Sequence, residues 1–233
     1  MSVATRQSPV PLLAGVILSA SLWLGGCEAA LAQSADPHST IIEEWSSVQA
    51  PPVPQVQPIT LDPAKTLLLV MDFNKISCTP ASRPRCVAAL PRLQALLAAA
   101  REKNALIIHT LSGTTTPSDI PSQVAPLPGE RVIEPRTDKP FGRMDKFFDS
   151  DLEASIRAKG IDTVLAVGTS ANGAVLYTVS GAAARQFKVV VPVDGMPADT
   201  AYQEQFTAYQ FVTAPVIRGS IVLTKIDMVS FGG

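Results

Sequence analysis

The stretch "TVLAVGTSANGAVLYT", residues 163–178, decides the fold. Its first six residues are a near-continuous apolar run, the pattern of a strand covered on both faces. Gly, Thr, Ser and Asn then mark a turn, and the small residues of "NGAVLYTVSGAAARQ" continue as a helix. Strand, tight turn and helix make the unit from which parallel sheets are assembled. The turn of such a unit is where α/β enzymes often hold a nucleophile.

Outward from it the same alternation repeats. "TLLLVM" (66–71), "ALIIHT" (105–110), "KVVVPV" (188–193) and "SIVLTK" (220–225) are further short apolar runs, and "RVIEP" (131–135) is a candidate sixth strand. Helical spacing fills the gaps. "VAALPRLQALLAAAREKN" and "AYQEQFTAYQFV" are amphipathic, and "SDLEASIRAKG" opens with a Ser-x-x-Glu capping box at Ser150 and Glu153 and stops at Gly160. The expectation is a three-layer α/β sandwich, a doubly wound parallel sheet of about six strands joined by right-handed crossovers. Ligands of such sheets bind beyond the carboxyl ends of the strands. The residues that follow 71, 110 and 168 are therefore the ones to watch, and the polar stretch 111–149 supplies loops over that edge.

The chain has 233 residues, 46% of them hydrophobic, which is enough for one well-packed domain, and a formal net charge of −1. With no basic block there is no electrostatic footprint for nucleic acid. Residues 1–33 read as an export signal: Arg6 precedes "PLLAGVILSASLWLGG", an apolar core short for a membrane span. Two processing sites compete. "LGGC" ending at Cys27 has the form of a lipobox, which would attach the chain to a membrane through a lipidated Cys27, and "ALA" at 30–32 has the form of a signal-peptidase site. The expected location is the periplasm or the envelope. Residues 34–60, with "QAPPVPQVQP", read as a Pro-rich tether or arm, and 61–233 as the folded domain. Outside the cytosol, Cys78 and Cys86 in "SCTPASRPRC" are expected to form a disulfide.

Asp72 closes the first long strand in "LLLVMDF", where an aspartate has no duty to the apolar run before it. It is a site candidate, or else a loop cap accepting backbone N–H bonds. "LLLVMDF" together with "DKPFGRMDKFFDSDLEASIRAKGIDTVLAVGTSANGAVLYTVSGAAARQFKVVVPVDG" resembles the isochorismatase-like hydrolase superfamily over roughly residues 64–225. The resemblance implies a catalytic Asp, Lys and Cys. The Asp falls on Asp72 and the Lys on Lys139, with Lys146 as second candidate because about two additional residues separate Lys139 from "KFF". The family's Gly-x-x-Thr-x-x-Cys-Val-x-x-Thr pattern aligns Gly168, Val175 and Thr178, puts Ala171 at its first threonine, and places its cysteine on Ala174. Thr169, Ser170, Ala171, Asn172 and Gly173 then form the substrate-binding turn. The resemblance also implies a cis peptide between Thr169 and Ser170, a small-molecule substrate and a homo-oligomer.

Alanine has no nucleophilic atom, so a thioester route is closed at 174. What survives is an acid–base pair of Asp72 and a lysine, with backbone N–H groups of the turn offered to a developing negative charge. The expected activity is hydrolysis of an ether or an amide, with no cofactor. The rivals are a retired member that binds a ligand or protein, and an amidohydrolase with an unrecognised nucleophile. No metal is expected, since His38 falls in the tether and His109 at a strand end.

Overall fold

The computed structural model describes residues 37–135 and 144–232. The leader expected over 1–33, with its two processing sites, and Lys139 lie outside the described residues. Residues before Pro51 cluster as a separate unit. Its described part is a run of turns in which the Thr40 N–H and hydroxyl donate to Glu43 at 2.6 and 2.9 Å.

From Pro51 onward the elements alternate as the sequence predicts, with two further short strands, one at each end, that it does not. They are β1 (Ile59–Leu61), β2 (Thr66–Met71), α1 (Pro84–Glu102), β3 (Leu106–Thr110), β4 (Arg131–Ile133), α2 (Leu152–Arg157), β5 (Thr163–Gly168), α3 (Leu176–Ala184), β6 (Lys188–Pro192), α4 (Ala201–Thr213), β7 (Ile221–Thr224) and β8 (Val229–Phe231). Six of the strands form one sheet in the order β4-β3-β2-β5-β6-β7, every pairing parallel. The expected doubly wound sandwich is therefore the fold. A second sheet pairs β1 with β8, also parallel.

The continuous apolar runs are explained by burial on both sides. Leu67, Leu69 and Met71 of β2 join one core with Val164, Val179, Phe187 and Phe211, while Leu68 and Val70 face the other with Leu93 and Leu97 of α1. Successive side chains point to opposite faces of a strand, so a central strand has no polar position to offer. The arm is anchored before β1: the Gln57 N–H donates to the Leu223 carbonyl at 3.2 Å and the Thr224 hydroxyl to the Gln57 carbonyl at 2.8 Å.

Two helix starts differ from the expectation. α1 begins at Pro84, three residues early, because Pro fits the first helical position, where its missing N–H costs nothing. The capping box at Ser150 and Glu153 does not form. α2 starts at Leu152 with Asp151 before it; the Ser150 hydroxyl donates instead to the Lys146 carbonyl at 2.7 Å, and Glu153 is drawn to Arg157 and Arg185. The same hydroxyl still accepts from the Leu152 N–H at 3.3 Å, so the serine meets the helix start and only the reciprocal glutamate half of the box is missing.

Candidate active site

The sheet reverses its winding between β2 and β5, and in such sheets the crevice beyond the carboxyl ends of those strands is where ligands sit. Asp72 follows β2 there. Its backbone is left-handed, with φ +58, a conformation sparsely used by residues with a side chain and concentrated at functional sites. The Asp72 N–H donates to the Thr110 carbonyl at 3.1 Å, which turns the carboxylate across the ends of the neighbouring strands. Oδ1 accepts from the Thr110 hydroxyl at 2.6 Å, and Oδ2 from the Lys146 ammonium at 2.8 Å. The alternative duty of capping the loop falls to Asn74, whose Oδ1 accepts from the Ile76 and Ser77 N–H groups at 3.1 and 2.9 Å.

Asp72 and Lys146 are 4% and 6% exposed. Opposite charges so deeply buried persist only as a pair, since either alone would carry an uncompensated desolvation cost. The lysine that reaches Asp72 among the described residues is thus Lys146, the second of the two candidates. Its backbone is held at both ends: the N–H donates to the Thr178 hydroxyl at 3.1 Å, and the carbonyl accepts from Ser150. The Thr178 hydroxyl in turn donates to the Met144 carbonyl at 3.0 Å. Between them, burial pushes the Asp145 carboxyl above the usual range, opposed by the Phe147 N–H and by Arg185 at 3.5 Å.

The turn after β5 comes next. Its Thr169–Ser170 peptide is cis, as the resemblance implied. The Thr169 N–H donates to the Met71 carbonyl at 3.0 Å, continuing the β2–β5 ladder into the site. Residues Ala171–Val175 then make a wide turn that leads into α3, kinked at Gly173, whose backbone is not helical (φ -115, ψ -115). Ala171, Gly173 and Ala174 are buried, and Ser170 and Asn172 are partly exposed. A Cβ at Gly173 would lie 2.8 Å from Ser170 Oγ and 3.7 Å from the Met144 methyl, so the lysine segment lies across this turn. The N–H groups of Ala171 and Gly173 are spent on the carbonyls of Pro197 and Ser170, at 3.2 and 3.0 Å. A cleft beside the pair is lined by Thr110, Ile133, Glu134, Lys146 and Phe148.

One site neighbour carries no motif. Arg83, the last residue before α1, donates through Nη1 to the Thr169 hydroxyl and through Nε to Asp199 at 2.7 Å. Its signal in the sequence is position alone, inside the Cys78–Cys86 loop and one residue ahead of the helix-starting proline. That disulfide is formed, with Cα atoms 5.3 Å apart. His109 is removed from the pair, its Nε2 lying 3.1 Å from Glu130 Oε2. No group of three or more His, Cys, Asp or Glu side chains among the described residues is arranged to hold a metal ion.

A parallel sheet wound both ways from a central pair of strands, with a buried carboxylate and ammonium at the switch point, defines a class of α/β hydrolase. Residues 66–221, well over half of the chain, match the isochorismatase domain. The chain belongs to the isochorismatase-like hydrolase superfamily. It is 29% identical over 140 residues to N-carbamoylsarcosine amidase of Arthrobacter sp, a match covering 48% of this chain and 51% of that protein, so the chain spans about half the length of this curated relative. Three solved structures share the fold: a cysteine hydrolase from Pseudomonas syringae (18% identity, TM-score 0.61, 75% of this chain and 94% of that one), an isochorismatase from Pseudomonas putida (18%, 0.61, 76% and 100%) and N-carbamoylsarcosine amidase from Thermoplasma acidophilum (19%, 0.57, 70% and 97%).

Proposed function

We propose that this protein hydrolyses a small substrate with Asp72 and Lys146 as its proton-transfer pair and without a covalent intermediate at position 174. The observation that carries the reading is the 2.8 Å contact between the two buried groups at the strand ends. Lys146 here takes the role first expected of Lys139. The alanine at 174, in the slot where the family pattern has cysteine, supports direct attack by water.

For an amide, water adds to the carbonyl carbon as its proton passes to the Asp72 carboxylate. The oxyanion so formed is met by backbone N–H groups of the turn after β5. The proton then leaves with the amine, giving an acid and an amine from amide and water. For a vinyl ether, a proton relayed through Asp72 goes to the terminal vinyl carbon and water adds to the cation. The hemiketal then collapses to a carbonyl compound and an alcohol. The curated relative's name makes an N-carbamoyl amino acid the first amide to try, and the thiol-free slot makes a vinyl ether such as isochorismate the first ether. The export-signal pattern and the disulfide support a site of action outside the cytosol, with Cys27 as a lipid attachment point.

The test is turnover of N-carbamoylsarcosine and of isochorismate. With whichever is hydrolysed, Asp72→Asn and Lys146→Met should each lower the rate on the order of 100-fold or more, while iodoacetamide leaves the wild-type rate unchanged. A rate abolished by iodoacetamide would restore a thiol mechanism. Tight binding of either compound without turnover would favour the retired, ligand-binding reading.

A further inference from the structure

Thr178 contributes nothing directly to chemistry in the reading above, yet its hydroxyl is completely buried and both its hydrogen bonds go to one short segment. It accepts from the Lys146 N–H and donates to the Met144 carbonyl, so it spans the backbone on either side of Asp145. A hydroxyl has one proton and two lone pairs, and here one proton and one lone pair are committed to the same strand of loop. Thr178 belongs to α3, the helix into which the 171–175 turn runs, and it lies one turn beyond Ala174. Residues four apart share a helix face. Position 174 therefore lies about one turn before the point at which the lysine segment is fastened to α3. The Met144 methyl over Gly173 marks the same contact from the other side.

We infer that Thr178 is a positioning residue: its hydroxyl sets the place of the Lys146 ammonium relative to both Asp72 and position 174. The inference rests on the proposed roles of Asp72 and Lys146. Two features support it. Lys146 has a long, flexible stem, so the placement of its ammonium depends on a fixed backbone origin. That origin is clamped by Thr178 at the N–H and by Ser150 at the carbonyl, and a close approach of Asp145 to α3 keeps the intervening residue seated. Gly181 leaves room for it, since a Cβ there would fall 2.6 Å from an Asp145 carboxylate oxygen.

The test installs a reporter thiol with Ala174→Cys and follows its alkylation by iodoacetamide against pH in the full-length protein. Alkylation is read on the tryptic peptide 160–185, so that Cys27 does not interfere. The reporter is made alone and with Lys146→Met, Thr178→Val, Thr178→Ala or Thr178→Ser, each checked for native circular dichroism. Alone, the thiol should ionise below the ordinary value of about 8.5 because an ammonium lies near it. Lys146→Met should raise the midpoint by about one unit, a tenfold loss of thiolate at neutral pH. Thr178→Val and Thr178→Ala should raise it in the same direction, and Thr178→Ser, which keeps the hydroxyl, should restore it. Alanine is included because it adds no branched methyl if valine disrupts folding. If Lys146→Met moves the midpoint and both hydroxyl deletions leave it in place, Thr178 does not position the lysine and the inference is overturned while the site stands. If the reporter alone titrates as an ordinary thiol and Lys146→Met does not move it, the site reading itself fails, and the inference with it.

Discussion

Gly168, the last residue of β5, has no space for a side chain. A Cβ there would lie 2.6 Å from Met71 Cβ and 2.9 Å from the Met71 carbonyl oxygen, and backbone cannot move aside as a flexible side chain can. Gly168→Ala should therefore force β2 and β5 apart at the point where Asp72 and the cis turn leave them. The expected cost is about 1–3 kcal/mol, read as a lower urea midpoint, and an unchanged midpoint would show that the strands can part without strain. Asp72 was legible in the sequence for a related reason, since a lone charge at the end of a run with no polar positions must have another duty. Lys146 was harder to single out. Two lysines lie seven residues apart in one polar segment, and the backbone of Lys146 is fastened by the hydroxyl of Thr178, a contact 32 residues away in sequence that no local pattern announces. Arg83 could not be singled out at all, because its partner Thr169 is brought to it only by the winding of the sheet.

The segment between β2 and α1 acts as a unit. Asn74 caps its first turn, Ser82 donates to the Ser77 carbonyl at 2.6 Å, and Cys78–Cys86 closes the ring from which Arg83 reaches the Thr169 hydroxyl. Replacing both cysteines by serine removes the cross-link from the unfolded chain as well as the folded one. The loop-entropy relation gives about 2.5 kcal/mol for a ring this small. Urea unfolding of the double variant should show that loss, and equal midpoints would mean that the hydrogen bonds hold the segment unaided. At this scale the strands were the most readable elements, since burial on both faces imposes a composition that little else imitates. Helix starts were less readable. The Ser150–Glu153 pattern satisfied a local rule, and the serine does accept from the Leu152 N–H, but Arg157 and Arg185 take the glutamate, so the reciprocal half of the box is lost to other partners.

Across the whole molecule, acid sensitivity should trace to a cluster outside the proposed pair. His109 on β3 is buried, with Nε2 3.1 Å from Glu130 and no described partner at Nδ1. Glu130 also accepts two bonds from Arg101 of α1, at 2.8 and 3.0 Å, so the cluster ties the central sheet to a covering helix and to the loop before β4. Burial holds the imidazole below its ordinary value, with Glu130 opposing only in part. Burial pushes the Glu130 carboxyl up, but the bonds from Arg101, the Leu127 N–H and His109 outweigh it and leave the carboxyl below the usual range. For His109 the unfolded chain takes up its proton first. Stability is therefore complete above the unfolded value of about 6.5 and falls as pH drops from there to the lowered folded value. For Glu130 the contribution is present above the unfolded carboxylate range and is lost as pH falls through its own lowered value. Two successive losses are expected on acidification, the first from histidine and the second from glutamate. Thermal unfolding followed from pH 8 to pH 4 should show the wild type losing Tm below about 6.5. His109→Gln, which keeps a donor for Glu130 but does not titrate, should stay flat until the carboxylate range is reached. Parallel curves for the two proteins between neutral pH and the carboxylate range would place the first acid loss elsewhere than at His109.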